Sequence, residues 1–254
     1  MVEYEEHGRV AVITIRRPEA RNAVNGEVAR GIEAALDRLE GDGDCWVGVL
    51  TGEGPVFSAG ADLKEIAAGR AGELATEKGG FAGIARRDRR KPVVAAVTGP
   101  ALAGGTEIVL SCDLVVAARS ATFGLPEVKR SLVAGAGGLF RLPRLLGQNV
   151  AMEAALTGDP ITAERAHQLG MVNDVVEEGD DVLKRALALA ERVAANAPIA
   201  VWESRQVVLA AQHADEDTLW RMTTEAFVAV MQTEDFAEGP RAFIEKRPPE
   251  WKGR

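Results

Sequence analysis

Four short runs frame what this chain can fold into: VAVITI (Val10–Ile15), WVGVLT (Trp46–Thr51), VVAAVT before Gly99-Pro100 (Val93–Thr98) and LVVAA (Leu114–Ala118). Each is nearly continuous in apolar and β-branched residues, which is the pattern of a buried strand. The first stops at Arg16-Arg17-Pro18, where a proline ends strand pairing. Between the first two runs, Asn25 is placed to cap a helix, and Val28, Ile32, Ala35, Leu36 and Leu39 follow at helical spacing before the Gly41–Asp44 turn. The third run closes at Gly99-Pro100 and leads into Ala101–Ser111, which reads as a helix entered through glycines.

From Leu63 to Arg90 the composition shifts to Ala, Gly and charge, with Gly69, Gly72, Gly79 and Gly80 as breaks, and this predicts helix interrupted by a mobile loop. After Gly147 the periodicity predicts helices near 149–156, 162–169, 181–195, 198–212, 217–231 and 235–246, with one strand near Val172–Val176. The fold class is therefore α/β, a core followed by a helical tail. The helix stop and proline in Ala195-Asn196-Ala197-Pro198 divide it into a core over 1–195 and a helical region over 196–254.

Composition narrows the function classes. Thirty-eight acidic against thirty basic residues give a net charge of −8, which disfavours a general nucleic-acid or anionic-membrane surface, so a polyanionic ligand has to meet a local basic patch. Cys45 and Cys112 are too few for a disulfide framework and sit beside apolar residues, as reduced thiols of a cytoplasmic protein do. The start, MVEYEEHGRV, has no apolar leader segment, and no run reaches the length of a membrane span. His7, His167 and His213 have no metal-ligand spacing, so no metal is expected.

Two stretches carry chemistry. SAGADLKE (Ser58–Glu65) sets three tiny residues before a charged segment, and such a run offers little except backbone N–H groups. GPALAGGTE (Gly99–Glu107) places Gly104-Gly105 at a loop-to-helix junction, where the first N–H groups have no intrahelical partner and the helix dipole favours negative charge. If Ala61 and Gly104 each direct an N–H at one carbonyl oxygen they form an oxyanion hole; the alternative is that these glycines only permit close packing. Glu107 stands about one turn beyond Gly104 in an apolar helix, where burial raises a carboxyl toward the range useful for proton transfer. Glu127 lies in FGLPEVKRSLVAGAGG; it is either a second proton-transfer group or an ordinary cap on a solvent face. Nucleotide motifs fail: Gly52-Glu53-Gly54 begins a GxGxxG that Phe57 breaks, and Ser58 lacks the context of a serine nucleophile.

FSAGADLKE (57–65), GPALAGGTE (99–107), CDLVVAARSATFGLPEV (112–128), AGAGGLFRLPRLLG (134–147), TGDPITAERAHQLGMVNDVV (157–176) and FIEKRPPEW (243–251), in that order, strongly resemble the crotonase, or enoyl-CoA hydratase, family. The resemblance implies a spiral core of ββα-like turns with a helical C-terminal region used for trimer formation. It implies hydration of an enoyl-CoA thioester, with coenzyme A as part of the substrate and no separate cofactor. By the same resemblance, the Ala61 and Gly104 N–H groups hold the thioester oxygen, and Ala59, Gly60, Asp62, Leu63 and Lys64 line the coenzyme A path with Gly105 and Gly135. Glu107 and Glu127 then match the two glutamates that bind water and shuttle the proton. Lys64 and the Lys246-Arg247 pair are candidates for phosphate contacts, the C-terminal cation acting on a neighbouring subunit's ligand in a homotrimer or dimer of trimers.

Departures from the pattern bear on specificity. Ala134 stands where the family often has Pro, Leu139-Phe140 where it has Thr-Gln, and Lys129-Arg130 replace an apolar pair after the second glutamate. Some members, including carnitinyl-CoA dehydratases and dienoyl isomerases, have an Asp at the position of Gly135; its lack here tilts the expectation to simple hydration. The competing expectations are an acyl-CoA dehydratase, an enoyl-CoA isomerase, and a catalytically silent CoA-binding protein.

Overall fold

The computed structural model describes residues 1–254. Its main sheet has six strands in chain order, Val2–His7, Val10–Ile15, Val47–Gly52, Val93–Val97, Leu114–Ala118 and Asp174–Val176; the first pair is antiparallel and the others are parallel. Period-two alternation explains the continuous apolar runs, because both faces of the sheet are covered. Ala11, Ile13 and Ile15 point into the larger core with the Gly26–Gly41 helix, while Val10 and Val12 point into a second core with Trp46, Ala186 and Trp202. Asn25 caps that helix as expected, its Oδ1 accepting the Val28 N–H at 2.9 Å.

Three of the parallel strands each run on, through a tight turn or loop, into a shorter element before the chain becomes helical. Val93–Val97 leads to Ala101–Leu102 and the Gly104–Val109 helix, and Leu114–Ala118 leads to Thr122–Gly124. After Val47–Gly52 the chain reaches Ser58, which bridges Ala101, and then the Leu63–Ala67 helix. The short strands Ala101–Leu102, Thr122–Gly124 and Ile161–Thr162 pair as a second small sheet. This is the spiral of ββα turns that the resemblance implied, and stacking successive turns brings loops from residues 20, 60, 104 and 130 to one place.

The expectation for 63–90 needs correction. Only Leu63–Ala67 is α-helical; a 3-10 turn, Ala71–Leu74, and a hairpin of Ala75–Thr76 with Gly80–Phe81 follow. The glycines there serve close approach: a Cβ on Gly83, whose φ is +68°, would lie 2.4 Å from the Ala29 carbonyl oxygen. Glu33 on the neighbouring helix completes the hairpin by accepting the Gly79 N–H at 2.9 Å and the Thr76 hydroxyl. The glycine-entered helix also begins later than expected, at Gly104, because Ala101–Leu102 pair as strand.

The C-terminal helices are Pro198–Ala210, Glu216–Met231 and Glu234–Glu245. The first is packed into the sheet: Trp202 Nε1 donates to the Trp46 carbonyl at 3.2 Å. The last segment folds back, with Asp235 accepting the Lys252 and Gly253 N–H groups at 2.7 and 2.9 Å and Glu238 accepting from Arg247 and Glu250. No helix is long and apolar enough to cross a membrane.

Candidate active site

The SAGAD and GPALAGG segments meet backbone to backbone. Leu102 N–H donates to the Ser58 carbonyl at 3.0 Å, and Phe57 N–H to Pro100 at 3.1 Å. Contact this close excludes side chains: a Cβ on Gly105 would lie 2.2 Å from the Ser58 oxygen, and one on Gly60 would lie 2.6 Å from the Gly104 nitrogen. Gly60 also has φ +82°, a conformation that only glycine adopts cheaply.

Within residues 59–62 every backbone donor but one is taken. Ala59 N–H goes to the Arg21 carbonyl at 3.0 Å, Gly60 N–H to Ser58 Oγ at 3.1 Å, and Asp62 N–H to the Val24 carbonyl at 2.9 Å. Ala61 N–H alone has no acceptor in the chain, and Ala61 lines the cavity beside Gly104. Gly104 opens its helix, so its N–H has no intrahelical partner. Ala103 before it holds φ 53° and ψ −127°, a strained conformation for a residue with a Cβ, and so sets the direction of the following N–H.

Arg17 and Asn22 fasten this loop from outside the two motifs. The Arg17 guanidinium donates to Asp62 Oδ2 at 2.7 Å and to the Ala23 carbonyl at 2.9 Å, while Asp62 Oδ1 caps the Leu63–Ala67 helix by accepting the Lys64 N–H. Burial pushes the Asp62 carboxyl up, but Arg17 and the Lys64 N–H outweigh it and hold the group below the usual carboxylate range. The wholly buried Asn22 donates to the Glu53 and Val56 carbonyls, and its own carbonyl accepts the Ser58 hydroxyl at 2.9 Å.

Both glutamates face one cavity of about 790 Å³, together with Ala59, Ala61, Asp62, Leu63, Lys64, Gly104 and Gly135. Glu107 is 3% exposed, and its Oε1 accepts the Ala136 and Gly138 N–H groups at 2.7 and 2.9 Å. Burial pushes its pKa up against those two hydrogen bonds and the nearby Arg141 charge. Glu127, half-buried at the start of the Pro126–Arg130 turn, is also pushed up, first by burial and secondarily by the charge of Glu107, while Arg130 pulls it down. Its Oε2 is buried without a hydrogen-bond partner, so a polar atom in the cavity is the natural complement. Two carboxyl groups of raised pKa therefore share a chamber with free backbone donors.

Some expected site residues stand elsewhere. Gly60 and Gly105 do not line the cavity; they back it, by permitting the contact between the two loops. Lys246 is exposed at the end of the last helix and does not line it either, and Arg247 is bound to Glu238 and Glu245. Lys64 lines the cavity with an exposed side chain and no ion pair. The motifs did not reveal Arg17, Arg21 and Arg130, which also line it. For Arg130 there was a signal, the charged pair in place of an apolar one.

The sequence model of the enoyl-CoA hydratase/isomerase family matches residues 5–254, and the chain belongs to that family. It is 39% identical to enoyl-CoA hydratase EchA19 of Mycobacterium tuberculosis over 98% of this chain and 96% of that one. It is 37% identical to carnitinyl-CoA dehydratase of Salmonella typhimurium over 98% and 97% of the two chains. Among solved structures, an enoyl-CoA hydratase from Mycobacterium tuberculosis H37Rv superposes with a TM-score of 0.95 at 47% identity, covering 100% of this chain and 99% of that one.

Proposed function

We propose that the protein is an enoyl-CoA hydratase that adds water reversibly across the 2,3 double bond of an enoyl-CoA thioester. The observation that carries this reading is the pairing of Glu107 and Glu127, both with raised pKa, in the cavity that Ala61 and Gly104 line. In this mechanism the Ala61 and Gly104 N–H groups donate to the thioester oxygen, and these bonds strengthen as the oxygen takes on enolate charge. Glu107, whose Oε1 is held by two N–H donors, acts as the acceptor that orients water. Glu127, with one oxygen unpartnered, supplies the proton. As the water oxygen bonds to the β-carbon its proton passes to Glu107, the π electrons pass to the thioester oxygen, and the enolate takes the Glu127 proton at the α-carbon; proton exchange through solvent then returns Glu107 to the carboxylate and Glu127 to the acid. Dehydration is the same path reversed.

Coenzyme A enters as part of the substrate. Lys64 and Arg21, exposed cations on the cavity wall without ion-pair partners, are placed to meet its phosphates. For self-association, a homotrimer or a pair of trimers, the support is an apolar surface left open by one chain: the Glu216–Met231 helix has no buried residue, and Trp220, Phe227, Phe243 and Ile244 are exposed. Light scattering that gives a monomer mass across a broad concentration range would refute that assembly.

The test of activity is a panel of enoyl-CoA thioesters of different lengths, followed by loss of the conjugated enoyl absorbance and by product mass, with the free acids as comparison. Thioesters turn over and free acids do not. Glu107→Gln and Glu127→Gln each lower kcat by about 10²–10⁴ while a saturated acyl-CoA binds within a few fold of parental affinity. Parental rates in both variants would make these glutamates structural and refute the mechanism, whereas a parental protein that binds acyl-CoA and turns over no thioester would be a CoA-binding protein.

A further inference from the structure

Arg130 ends the Pro126–Arg130 turn on which Glu127 sits, and both line the cavity. The turn is a 3-10 helix, in which residues three apart stack on one face, so Arg130 stands on the face of Glu127, about 6 Å further along. The side chain is exposed and has no hydrogen bond or ion pair in the chain. That sets it apart from the cations around it: Lys129 is bound to Asp159 at 2.7 Å, Arg17 to Asp62, and Arg141 to Ser111 and the Ala85 carbonyl. The remainder of this wall, Leu132, Val133, Gly135 and Ala136, offers only apolar or minimal side chains. Arg130 is thus its one charge besides Glu127 itself, and its field reaches that carboxyl. Arg21 and Lys64 stand on a different wall, contributed by residues 17–23 and 59–66.

We propose that Arg130 forms a subsite for a carboxylate on the acyl part of the substrate, so that the favoured thioesters are mono-CoA esters of unsaturated dicarboxylic acids. The proposal rests on the reading of the cavity as a thioester site. The thioester oxygen lies at Ala61 and Gly104, the reacting carbons lie at Glu107 and Glu127, and a carboxylate several bonds beyond the β-carbon reaches the guanidinium that follows Glu127. A guanidinium is suited to this task, because its planar fork matches a carboxylate with two parallel hydrogen bonds.

The experiment measures binding by calorimetry, with saturated thioesters that cannot be hydrated. Adipoyl-CoA is compared with 6-methylheptanoyl-CoA, in which two methyl groups replace the carboxylate oxygens, and glutaryl-CoA with 5-methylhexanoyl-CoA. The charged member of at least one pair binds the parental protein ~10-fold more tightly than its isostere, the scale of one partly exposed charged hydrogen-bonded pair. In Arg130→Gln that preference disappears through a loss confined to the charged thioester, and Arg130→Lys retains part of it. The preference also shrinks with added salt. No preference in the parental protein overturns the proposal. So does an equal loss for both members of a pair in Arg130→Gln, which would assign the residue to the coenzyme A phosphates. Hydration of crotonyl-CoA by the parental protein is scored separately: activity without a charged-chain preference removes the subsite and leaves the hydratase standing.

Discussion

Replacing Gly60 with Ala tests the oxyanion geometry at the point where the two loops touch. The added Cβ would lie 2.6 Å from the Gly104 nitrogen, 2.9 Å from the Leu102 oxygen and 3.0 Å from the Ala103 Cβ. Ordinary contact begins near 3.4 Å, so the loops must part by about 0.8 Å, and the atoms that must yield are backbone on both sides. The left-handed φ of +82° adds roughly 1–2 kcal/mol for a residue with a Cβ, well within the usual 5–15 kcal/mol of a folded domain, so the variant folds. A displacement of that size takes Gly104 N–H out of line with an oxygen still held by Ala61. Loss of one such donor costs about 10²–10³ in kcat, or roughly 3–4 kcal/mol. Because that stabilisation belongs to the transition state, kcat falls while affinity for butyryl-CoA changes little. The assay is loss of enoyl absorbance with crotonyl-CoA, alongside thermal unfolding, with Gly72→Ala as control because no atom lies within 4 Å of its added Cβ. A folded Gly60→Ala protein that turns over within threefold of the parent would refute the paired-donor geometry.

Glu107→Gln raises stability at neutral pH even as it removes activity. The folded-state pKa of Glu107 lies above the ordinary 4.5, so the folded protein holds this proton more tightly than the unfolded chain. Stability from this group is therefore lost as pH rises from the ordinary value through the raised one. The gain of the Gln variant grows over that window and vanishes below it, and urea unfolding across pH reads it; a gain largest in acid would contradict the sign. Arg17→Gln leaves Asp62 as a buried carboxylate without its cation and costs about 3 kcal/mol, with kcat lowered through the loosened loop. Adding Asp62→Asn restores part of that stability, and a double-mutant cycle showing strict additivity would remove Arg17 as the fastener.

What the sequence disclosed about the fold was whatever a local pattern could carry. Continuous apolar runs mark strands covered on both faces, so Val10–Ile15 and Leu114–Ala118 were legible to the residue, and helical periodicity placed all three C-terminal helices within two residues. Val2–His7 was not read as a strand because it lies at the sheet edge and carries three acids among its six residues, although Gly8 at φ +61° marks its turn. The two- and three-residue strands at Ala101 and Thr122 are held by pairing with each other and leave no period to detect. Pro143 hid the Gly138–Leu146 helix, since proline in a helix interior removes a hydrogen bond. In 63–90, glycine read as flexibility where it serves close packing, a distinction that only the neighbouring Gly26–Gly41 helix makes visible.

The site divides along the same line, and the division explains why the motifs look as they do. Ala61 and Gly104 were legible because tiny residues can contribute little but backbone. What makes the Ala61 N–H available is a set of distant partners: Arg21 takes the Ala59 N–H, Val24 takes the Asp62 N–H, and Val24 N–H in turn holds the Gly60 carbonyl at 2.7 Å. A loop with all its donors free would turn them to water and to many directions. Here the fold satisfies the neighbours and leaves one N–H without an acceptor beside Gly104, with Arg17 and Asp62 locking the segment that follows. Glu107 shows the same logic from the acceptor side, since the glycine-rich turn at 135–138 supplies two N–H groups to one oxygen and leaves the other free of them. The small residues of both motifs are therefore the visible half of a hydrogen-bond arrangement whose other half lies in residues 17–25 and 136–138, where no motif announces it.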